Sequence, residues 1–210
     1  MHITVFGAAG AVGRRVVAEA VTRGHNVTAV VRNPARATDL PTGVTVRSGD
    51  AADPGDVGAF ARGQDLVITA TRPAPGREAD LVDTTRSLLD GLAGTGVRLL
   101  AVGGAATLRT SGGTLVLDTP GFPAELLPIA SACQDQHEVY RADTTVDWTY
   151  ASPPLLLEPG ERTGRYRLGR DDLLTDAAGR SAISMEDFAV ALLDEAEQPR
   201  HRRTRFTVAA

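Results

Sequence analysis

The sequence predicts an α/β fold with a doubly wound parallel sheet that helices cover on both faces. Short apolar segments of strand length alternate with segments of helix length up to about residue 150. The segment 97–102 is mostly apolar on both faces, as a strand inside a parallel sheet requires. A glycine-rich turn joins the first strand to the first helix, as in the βαβ units that build such sheets. With right-handed crossovers, these units give the strand order 3-2-1-4-5-6.

The predicted elements follow one another in a regular order. Strands are expected over residues 2–6, 26–31, 43–47, 65–70, 97–102 and 146–150. Helices are expected over residues 10–23, 53–61, 77–93 and 124–143. Asp53 followed by Pro54 is a typical helix start, because the carboxylate caps free N–H groups and proline suits the first turn.

The remaining residues, 151–210, are predicted to extend the same domain. Pro153 and Pro154 end the sixth strand, since proline lacks the N–H that a central strand must donate. Ser184 is a typical N-cap for a helix over 185–197, and residues 205–208 predict a last short strand that closes the sheet edge. We expect a single domain over 1–210, with its core in 1–150 and an extension that covers the ligand side.

Composition limits the classes of function. The 210 residues are 42% hydrophobic and 23% charged, which suits one globular domain with a substantial core. The formal net charge of −4 argues against general binding to nucleic acid or to membrane surfaces. Cys133 is the only cysteine, so no internal disulfide forms, and no apolar run is long enough to span a bilayer. We expect a cytoplasmic monomer or homodimer.

All 22 basic residues are arginine. The lack of lysine excludes Schiff-base chemistry, P-loops of the Walker type and proton relays that pair tyrosine with lysine. No His, Cys, Asp and Glu spacing resembles a metal site, so we expect no metal.

The glycine turn predicts a phosphate-binding site. Its spacing is G-x-x-G-x-x-G, and it lies between the first strand and the first helix. A helix start has unpaired N–H groups and a partial positive charge, and glycine lets a pyrophosphate approach the backbone. The predicted binding residues are Gly7, Ala8, Ala9, Gly10, Ala11, Val12 and Gly13.

Arg32 predicts the choice of cofactor. It follows the second strand, at the position where NAD-binding proteins of this architecture carry an acidic residue for the ribose 2′-hydroxyl. A guanidinium there pairs with a 2′-phosphate, so the expected cofactor is NADP(H). Arg14, Arg15 and Arg36 are close enough in sequence to assist with the phosphates or to be solvated surface charges.

Residues at the other strand ends complete the predicted cofactor site, because ligands of open parallel sheets bind beyond the carboxyl ends of the strands. Asp50 is expected to accept a hydrogen bond from the adenine amino group, and small residues leave space for ribose and nicotinamide. Arg72 is suited to a cofactor phosphate or to an anionic acceptor. The predicted residues are Asp50, Ala70, Thr71, Arg72, Gly103, Ser152 and Pro153.

Several motifs together resemble a known family. They are the glycine turn, Val30-Val31-Arg32-Asn33-Pro34, Gly49-Asp50, Val102-Gly103-Gly104-Ala105, Asp147-Trp148-Thr149-Tyr150-Ala151-Ser152-Pro153 and Ile183-Ser184-Met185-Glu186-Asp187-Phe188-Ala189. This combination, which covers nearly the whole chain, resembles the atypical short-chain dehydrogenases/reductases, which have a Rossmann fold. More narrowly, it is similar to the NADH-flavin reductase group, related to biliverdin reductase B and the NmrA-like proteins.

The resemblance implies NAD(P)H bound along the glycine turn, Arg32, Asp50 and the fourth strand, with a planar acceptor stacked near the nicotinamide. One loop departs from the family pattern Gly-Gly-Ala-Gly-Ser-Leu, because this chain has Ala106 and Thr107 at the fourth and fifth positions. Thr107 keeps a hydroxyl, while the methyl of Ala106 restricts the backbone.

The reaction predicted from these residues is hydride transfer from NADPH to a planar acceptor such as FMN, FAD or a quinone. No tyrosine is followed four residues later by lysine, so the usual carbonyl-reductase relay is disfavoured. Stacked rings exchange a hydride directly, and positioning is then the main contribution of the protein. If a side chain supplies a proton, the candidates are Thr107, His137 and Tyr140, together with Arg72 after the fourth strand.

Two alternatives remain open at this point. One is a tailoring reductase, epimerase or dehydratase that acts on a small biosynthetic intermediate and needs a working acid. The other is an NmrA-like regulator that senses NADP(H) without turnover and signals to a protein partner.

Overall fold

The computed structural model describes residues 1–210, apart from the side chain of Arg36. The strands are β1 (His2–Phe6), β2 (Asn26–Val31), β3 (Thr45–Ser48), β4 (Leu66–Thr69), β5 (Arg98–Val102), β6 (Trp148–Ser152), β7 (Leu156–Glu158), β8 (Arg167–Gly169), β9 (Ala182–Ser184) and β10 (Thr204–Ala209). The α-helices are α1 (Ala11–Thr22), α2 (Pro54–Ala61), α3 (Asp80–Leu92), α4 (Leu127–Ala142) and α5 (Met185–Glu197).

The main sheet has eight strands in the order β3-β2-β1-β4-β5-β6-β10-β8, which confirms the predicted core order. Every neighbouring pair is parallel except β10 and β8. The expectation that the last strand closes the sheet is wrong, because β8 pairs with the outer side of β10 and forms the edge. Strands β7 and β9 form a separate parallel pair.

Local chemistry explains where the helices begin. The Asp53 carboxylate accepts hydrogen bonds from the N–H groups of Gly55 and Asp56, and Ser184 Oγ accepts one from Asp187 N–H at 3.0 Å. Helix α3 begins three residues later than predicted, because Asp80 N–H bonds to the Arg77 carbonyl in a turn that precedes the helix. Residues 124–126 likewise form a 3₁₀ turn ahead of α4.

The core has two layers, one on each face of the main sheet. The layer beside α1 and α5 contains Val5, Phe188 and Phe206, and the layer beside α2, α3 and α4 contains Phe6 and Tyr150. Adjacent residues such as Val5 and Phe6 enter opposite layers because side chains alternate along a strand. Within the described residues, no helix is both long and apolar enough to cross a bilayer.

Ion pairs around the buried Glu19 and its neighbour Arg23 attach the C-terminal residues to α1. Glu19, on α1, is 5% exposed and accepts hydrogen bonds from Arg23 at 2.8 Å and from Arg162 at 2.7 Å and 2.8 Å. Arg23 also bonds to Asp194 on α5. The hydrogen bonds from Arg162, opposed by burial and assisted by Arg23, lower the pKa of Glu19 below its ordinary value.

We predict that Glu19→Gln destabilises the protein by about 2 kcal/mol at neutral pH, because charged hydrogen bonds are lost at a buried position. Since the folded-state pKa of Glu19 is depressed, its stabilisation is present above the ordinary pKa of 4.5 and is lost as the pH falls through the lower folded value. The measurement is the free energy of unfolding against pH for both proteins, which should converge in acid. Glu138→Gln, in an exposed pair with Arg141, is the control and should change stability by less than about 0.5 kcal/mol. If the free energies of unfolding of the wild type and Glu19→Gln differ by the same amount from neutral to acid pH, this role of Glu19 is contradicted.

Candidate cofactor and acceptor site

The glycine turn brings the start of α1 onto the carboxyl end of β1. Gly7 has a positive φ of 74°, and a Cβ there would lie 2.6 Å from the Ala70 carbonyl oxygen of the β4 end. A Cβ on Gly13 would lie 2.1 Å from the Gly7 carbonyl oxygen. Only glycine allows backbone segments to pack this closely.

The first turn of α1 is open to a ligand. Gly10 is the N-cap residue and has no side chain to bond the free N–H groups, and the first turn contains no acidic residue. Gly10 and Ala11 are exposed. The helix start therefore presents N–H donors and a partial positive charge at the carboxyl edge of the sheet.

Arg32 is exposed directly after β2, and no described residue forms an ion pair or hydrogen bond with it. Its neighbours are engaged differently. Arg15 Nε lies 2.5 Å from Glu186 Oε1 and its Nη1 donates to the Ala11 carbonyl, whereas Arg14 lies 3.5 Å from Asp39. Of these three cations, Arg32 has its donors available. The side chain of Arg36 lies outside the described part of the chain.

The ends of β3 and β4 carry the next predicted residues, at the same edge of the sheet as the glycine turn. Asp50 is exposed, and one of its carboxylate oxygens accepts from Ala52 N–H at 3.0 Å, which leaves the other for a ligand. Ala70 N–H bonds to the Phe6 carbonyl, so this end of β4 stays paired with β1. The hydroxyl of Thr71 bonds to that of Thr69 at 3.1 Å, and the Arg72 side chain is exposed.

Tyr150 supports the end of β5, a role that the sequence analysis did not assign. A Cβ on Gly103 would lie 2.0 Å from Tyr150 Cζ, so the ring occupies the space of a side chain. The Tyr150 hydroxyl accepts from Gly104 N–H and donates toward the Cys133 carbonyl or Gln136 Oε1, each at 3.2 Å. Burial raises the pKa of Tyr150 well above its ordinary value. The consecutive residues Gly103 and Gly104 were the sequence signal for this packing, since glycine in such a position indicates a close neighbour without identifying it.

Ser152 and Pro153 are both buried at the end of β6. Ser152 is 0% exposed, and its hydroxyl has no hydrogen-bond partner among the residues that the structure describes. A buried, unpaired hydroxyl costs about 1–3 kcal/mol of stability, and this oxygen is closed off from a ligand in this conformation.

The predicted proton donors other than Arg72 occupy different environments. Thr107 is buried, and its Oγ1 accepts a hydrogen bond from Arg205 at 2.8 Å. His137 is partly buried, with its ring centre 4.8 Å from that of Tyr150. Burial, together with the charge of Arg205, lowers the pKa of His137 to about 4. At pH 7 this imidazole is therefore in its neutral form, which is a poor proton donor.

Tyr140 is misassigned as a proton donor. Its side chain is 0% exposed and packs between Trp148 and Tyr150 in the core, with ring-centre distances of 5.7 Å and 5.8 Å. Helical spacing correctly places Tyr140 on the same face as His137, but that face packs against β6. A group enclosed in the core does not touch a substrate, so direct donation by Tyr140 is excluded in this conformation.

Comparison with known proteins identifies the family. The model of an NAD(P)H-binding family matches residues 7–199, which include the glycine turn, Arg32 and the strand ends described above. The chain belongs to this NAD(P)H-binding family. It is 37% identical over 212 residues to the uncharacterized protein YwnB of Bacillus subtilis (strain 168), covering 99% of this chain and 98% of YwnB.

Solved structures agree with this assignment. A protein from Burkholderia pseudomallei called a "putative exported protein" has 40% identity and a TM-score of 0.91, with all of both chains covered. A "putative NADH-flavin reductase" from Streptococcus pneumoniae TIGR4 has 33% identity and a TM-score of 0.90, covering 100% of this chain and 99% of the other. A "putative epimerase" from Bacteroides thetaiotaomicron has 36% identity and a TM-score of 0.91, covering 99% and 96%. The resemblance to atypical short-chain dehydrogenases/reductases is thereby confirmed.

The carboxyl edge of this NAD(P)H-binding protein fits a nicotinamide dinucleotide in two respects. The glycine turn has a cradle that a Cβ would fill, and the end of β2 carries the available cation Arg32. The cradle suits a pyrophosphate, and the cation suits a further anionic group of the ligand.

We predict that Gly13→Ala weakens NADPH binding at least about tenfold, because the added Cβ meets backbone that cannot move without shifting the start of α1. The measurement is the Kd from the quenching of protein fluorescence. Gly112→Ala is the matched control, since the nearest atom to its Cβ is 3.8 Å away. Equal NADPH affinity in both variants would show that the close approach of Gly13 to Gly7 is not needed for binding.

Proposed function

We propose that this chain is a cytoplasmic, NADPH-dependent reductase that transfers a hydride to a flavin, a quinone or a similar planar acceptor. The observation that supports it most is the combination of an open helix start at Gly10 with the exposed, unpaired Arg32 at the next strand end. Family membership supports nicotinamide binding, and the relative from Streptococcus pneumoniae supports the choice of acceptor. No nucleic acid, membrane or metal takes part in this proposal.

The cofactor would be held by groups that the fold places on one edge. Backbone N–H groups of Gly7 to Gly13 would bind the pyrophosphate, and Arg32 would pair with the 2′-phosphate. Asp50 would accept from the adenine amino group, with Ala70, Thr71 and Arg72 lining the middle of the site. Gly103, Ser152 and Pro153 would border the nicotinamide. When bound, NADPH supplies the hydride.

Positioning is the main task of the protein in this reaction. The chain has no lysine for a tyrosine relay, Tyr140 is enclosed, and His137 is neutral at pH 7. Reduction of a flavin or quinone needs no side-chain acid, because solvent can protonate the product after hydride transfer. The tightly packed Tyr150 and Gly103 keep the end of β5 in place beside the site, which favours one stacking geometry.

A second candidate is an epimerase or a tailoring reductase, which the relative from Bacteroides thetaiotaomicron favours. Such chemistry needs a group that exchanges a proton with the substrate. Thr107 and His137 are the candidates for that group, since both lie near Arg205 on the same side of the sheet.

We expect purified protein to oxidise NADPH in the presence of FMN, FAD, riboflavin or a naphthoquinone, because none of these acceptors needs a side-chain acid. The loss of NADPH absorbance measures the rate, and reactions without protein give the background. Turnover with none of these acceptors would refute the reductase proposal. Binding of NADPH and NADP⁺ without turnover would instead favour a sensor.

We predict that Arg32→Ala weakens NADPH binding by about 10- to 100-fold and leaves NADH binding within about twofold, since only NADPH carries the 2′-phosphate. Both Kd values are measured by fluorescence. Arg47→Ala, which removes an exposed arginine from the adjacent β3, is the control and should change neither. Equal weakening of both cofactors by Arg32→Ala would reject the assignment to the 2′-phosphate.

A further inference from the structure

Arg205 is a buried cation in a strand whose other residues are uncharged, and the proposed function does not use it. It lies on β10 in register with Tyr150, and its side chain is 7% exposed. Register partners on parallel strands direct their side chains to the same face, so Arg205 lies on the α4 side of the sheet with Tyr150. From there it reaches the loop that follows β5.

The hydrogen bonds of Arg205 show that it holds other groups and is not a free anion site. Its Nε and Nη2 donate to Asp171 Oδ1 at 3.1 Å and 2.6 Å. Its Nη1 donates to Thr107 Oγ1 at 2.8 Å and to the Thr107 carbonyl oxygen at 3.2 Å. The charge is compensated by Asp171, and both hydrogens of Nη1 are directed to Thr107.

These contacts leave the hydrogen of the Thr107 hydroxyl available. A hydroxyl has one hydrogen to donate, and here its oxygen accepts from a cation, so the hydrogen must point away from Arg205. No described residue accepts that hydrogen. Accepting a hydrogen bond from a charged group also polarises the O–H bond and makes it a better donor.

The position of Thr107 gives this donor a use. It lies five residues beyond the carboxyl end of β5, the edge of the sheet at which the proposed acceptor would bind, and it is 5% exposed. Hydride transfer oxidises NADPH to NADP⁺, reduces the acceptor by two electrons and leaves negative charge on the acceptor until solvent supplies a proton. A hydroxyl that donates a hydrogen bond to that charge stabilises it as it develops.

We propose that Arg205 is a positioning residue, which orients the Thr107 hydroxyl as a hydrogen-bond donor to an acceptor carbonyl or ring nitrogen that becomes negative on reduction. This inference rests on the proposed reductase function. It assigns Thr107 a stabilising role without loss of its proton, and it narrows the acceptor to planar molecules whose reduced form carries charge on oxygen or nitrogen.

A double-mutant cycle tests this coupling, with kcat measured at saturating NADPH and a naphthoquinone acceptor. Thr107→Val should lower kcat about 10²-fold, and Arg205→Met, which leaves the hydroxyl but frees its rotation, about tenfold. The double variant should be no slower than Thr107→Val, because Arg205 acts through that hydroxyl. Thr107→Ser should retain most of kcat, and NADPH affinity should be unchanged throughout.

Arg170→Met is the matched control, since Arg170 also donates to a threonine hydroxyl, that of Thr204, but at the exposed surface. It should leave kcat unchanged. If Arg205→Met does not fold, Asp171→Asn replaces it, because this change loosens the same guanidinium. Asp171→Asn should lower kcat severalfold in the wild type and should have no further effect on kcat when it is combined with Thr107→Val. If the fold losses in kcat of Thr107→Val and Arg205→Met multiply in the double variant, the proposal is overturned and the role of Arg205 is purely structural.

Neutron diffraction from the protein with NADP⁺ separates this inference from the proposed function. If the wild type reduces no acceptor, the function fails, but the hydrogen on Thr107 Oγ1 can still be located. A hydrogen directed into the cleft supports the orientation by Arg205. A hydrogen bonded to a carbonyl oxygen of the 104–108 loop would overturn it even if the enzyme is active.

Discussion

The close approach of three backbone segments at the glycine turn is the constraint on which the site depends. The start of α1, the end of β1 and the end of β4 meet where Gly13 faces the Gly7 carbonyl and Gly7 faces the Ala70 carbonyl. Any side chain larger than hydrogen at these points would separate the segments. Because they meet, the positive end of α1 lies over the switch point between β1 and β4, where open parallel sheets bind ligands.

A second close contact organises the other half of the edge. The ring of Tyr150 fills the space beside Gly103, and its hydroxyl links Gly104 to α4. Arg205 continues this support from β10 to Thr107, so residues after β6 take part in shaping the β5 loop. The C-terminal residues therefore complete both the main sheet and the proposed acceptor side.

The sequence was sufficient for the features that depend on local pattern. Strand order, the caps at Asp53 and Ser184, and the glycine turn follow from alternation, capping chemistry and spacing. Features that depend on long-range packing were not predictable in the same way. Helical spacing placed Tyr140 beside His137 but did not show that this face packs on β6, and the pairing of β8 with β10 has no local signal.

The same limit applies to the site. The presence of an exposed cation, Arg32, at the carboxyl end of β2 could be predicted, because its position follows from the order of the elements. Tyr150 and Arg205 could not, since their roles arise from register between β6 and β10 and from contacts with a loop distant in sequence. An arginine in a strand whose other residues are uncharged indicates a buried partner, but the sequence alone does not identify Thr107 as that partner.

The central claim is that hydride transfer depends on positioning and not on a titrating side-chain acid. The most direct test is the pH dependence of the single-turnover rate of hydride transfer from NADPH to a quinone, measured by stopped flow. The rate should be constant between about pH 6 and pH 9, because the pKa of His137 is about 4, that of Tyr150 is well above its ordinary value, and a threonine hydroxyl does not titrate in this range. A rate that changes with an apparent pKa inside this range, and that becomes constant on replacing His137, would contradict the claim.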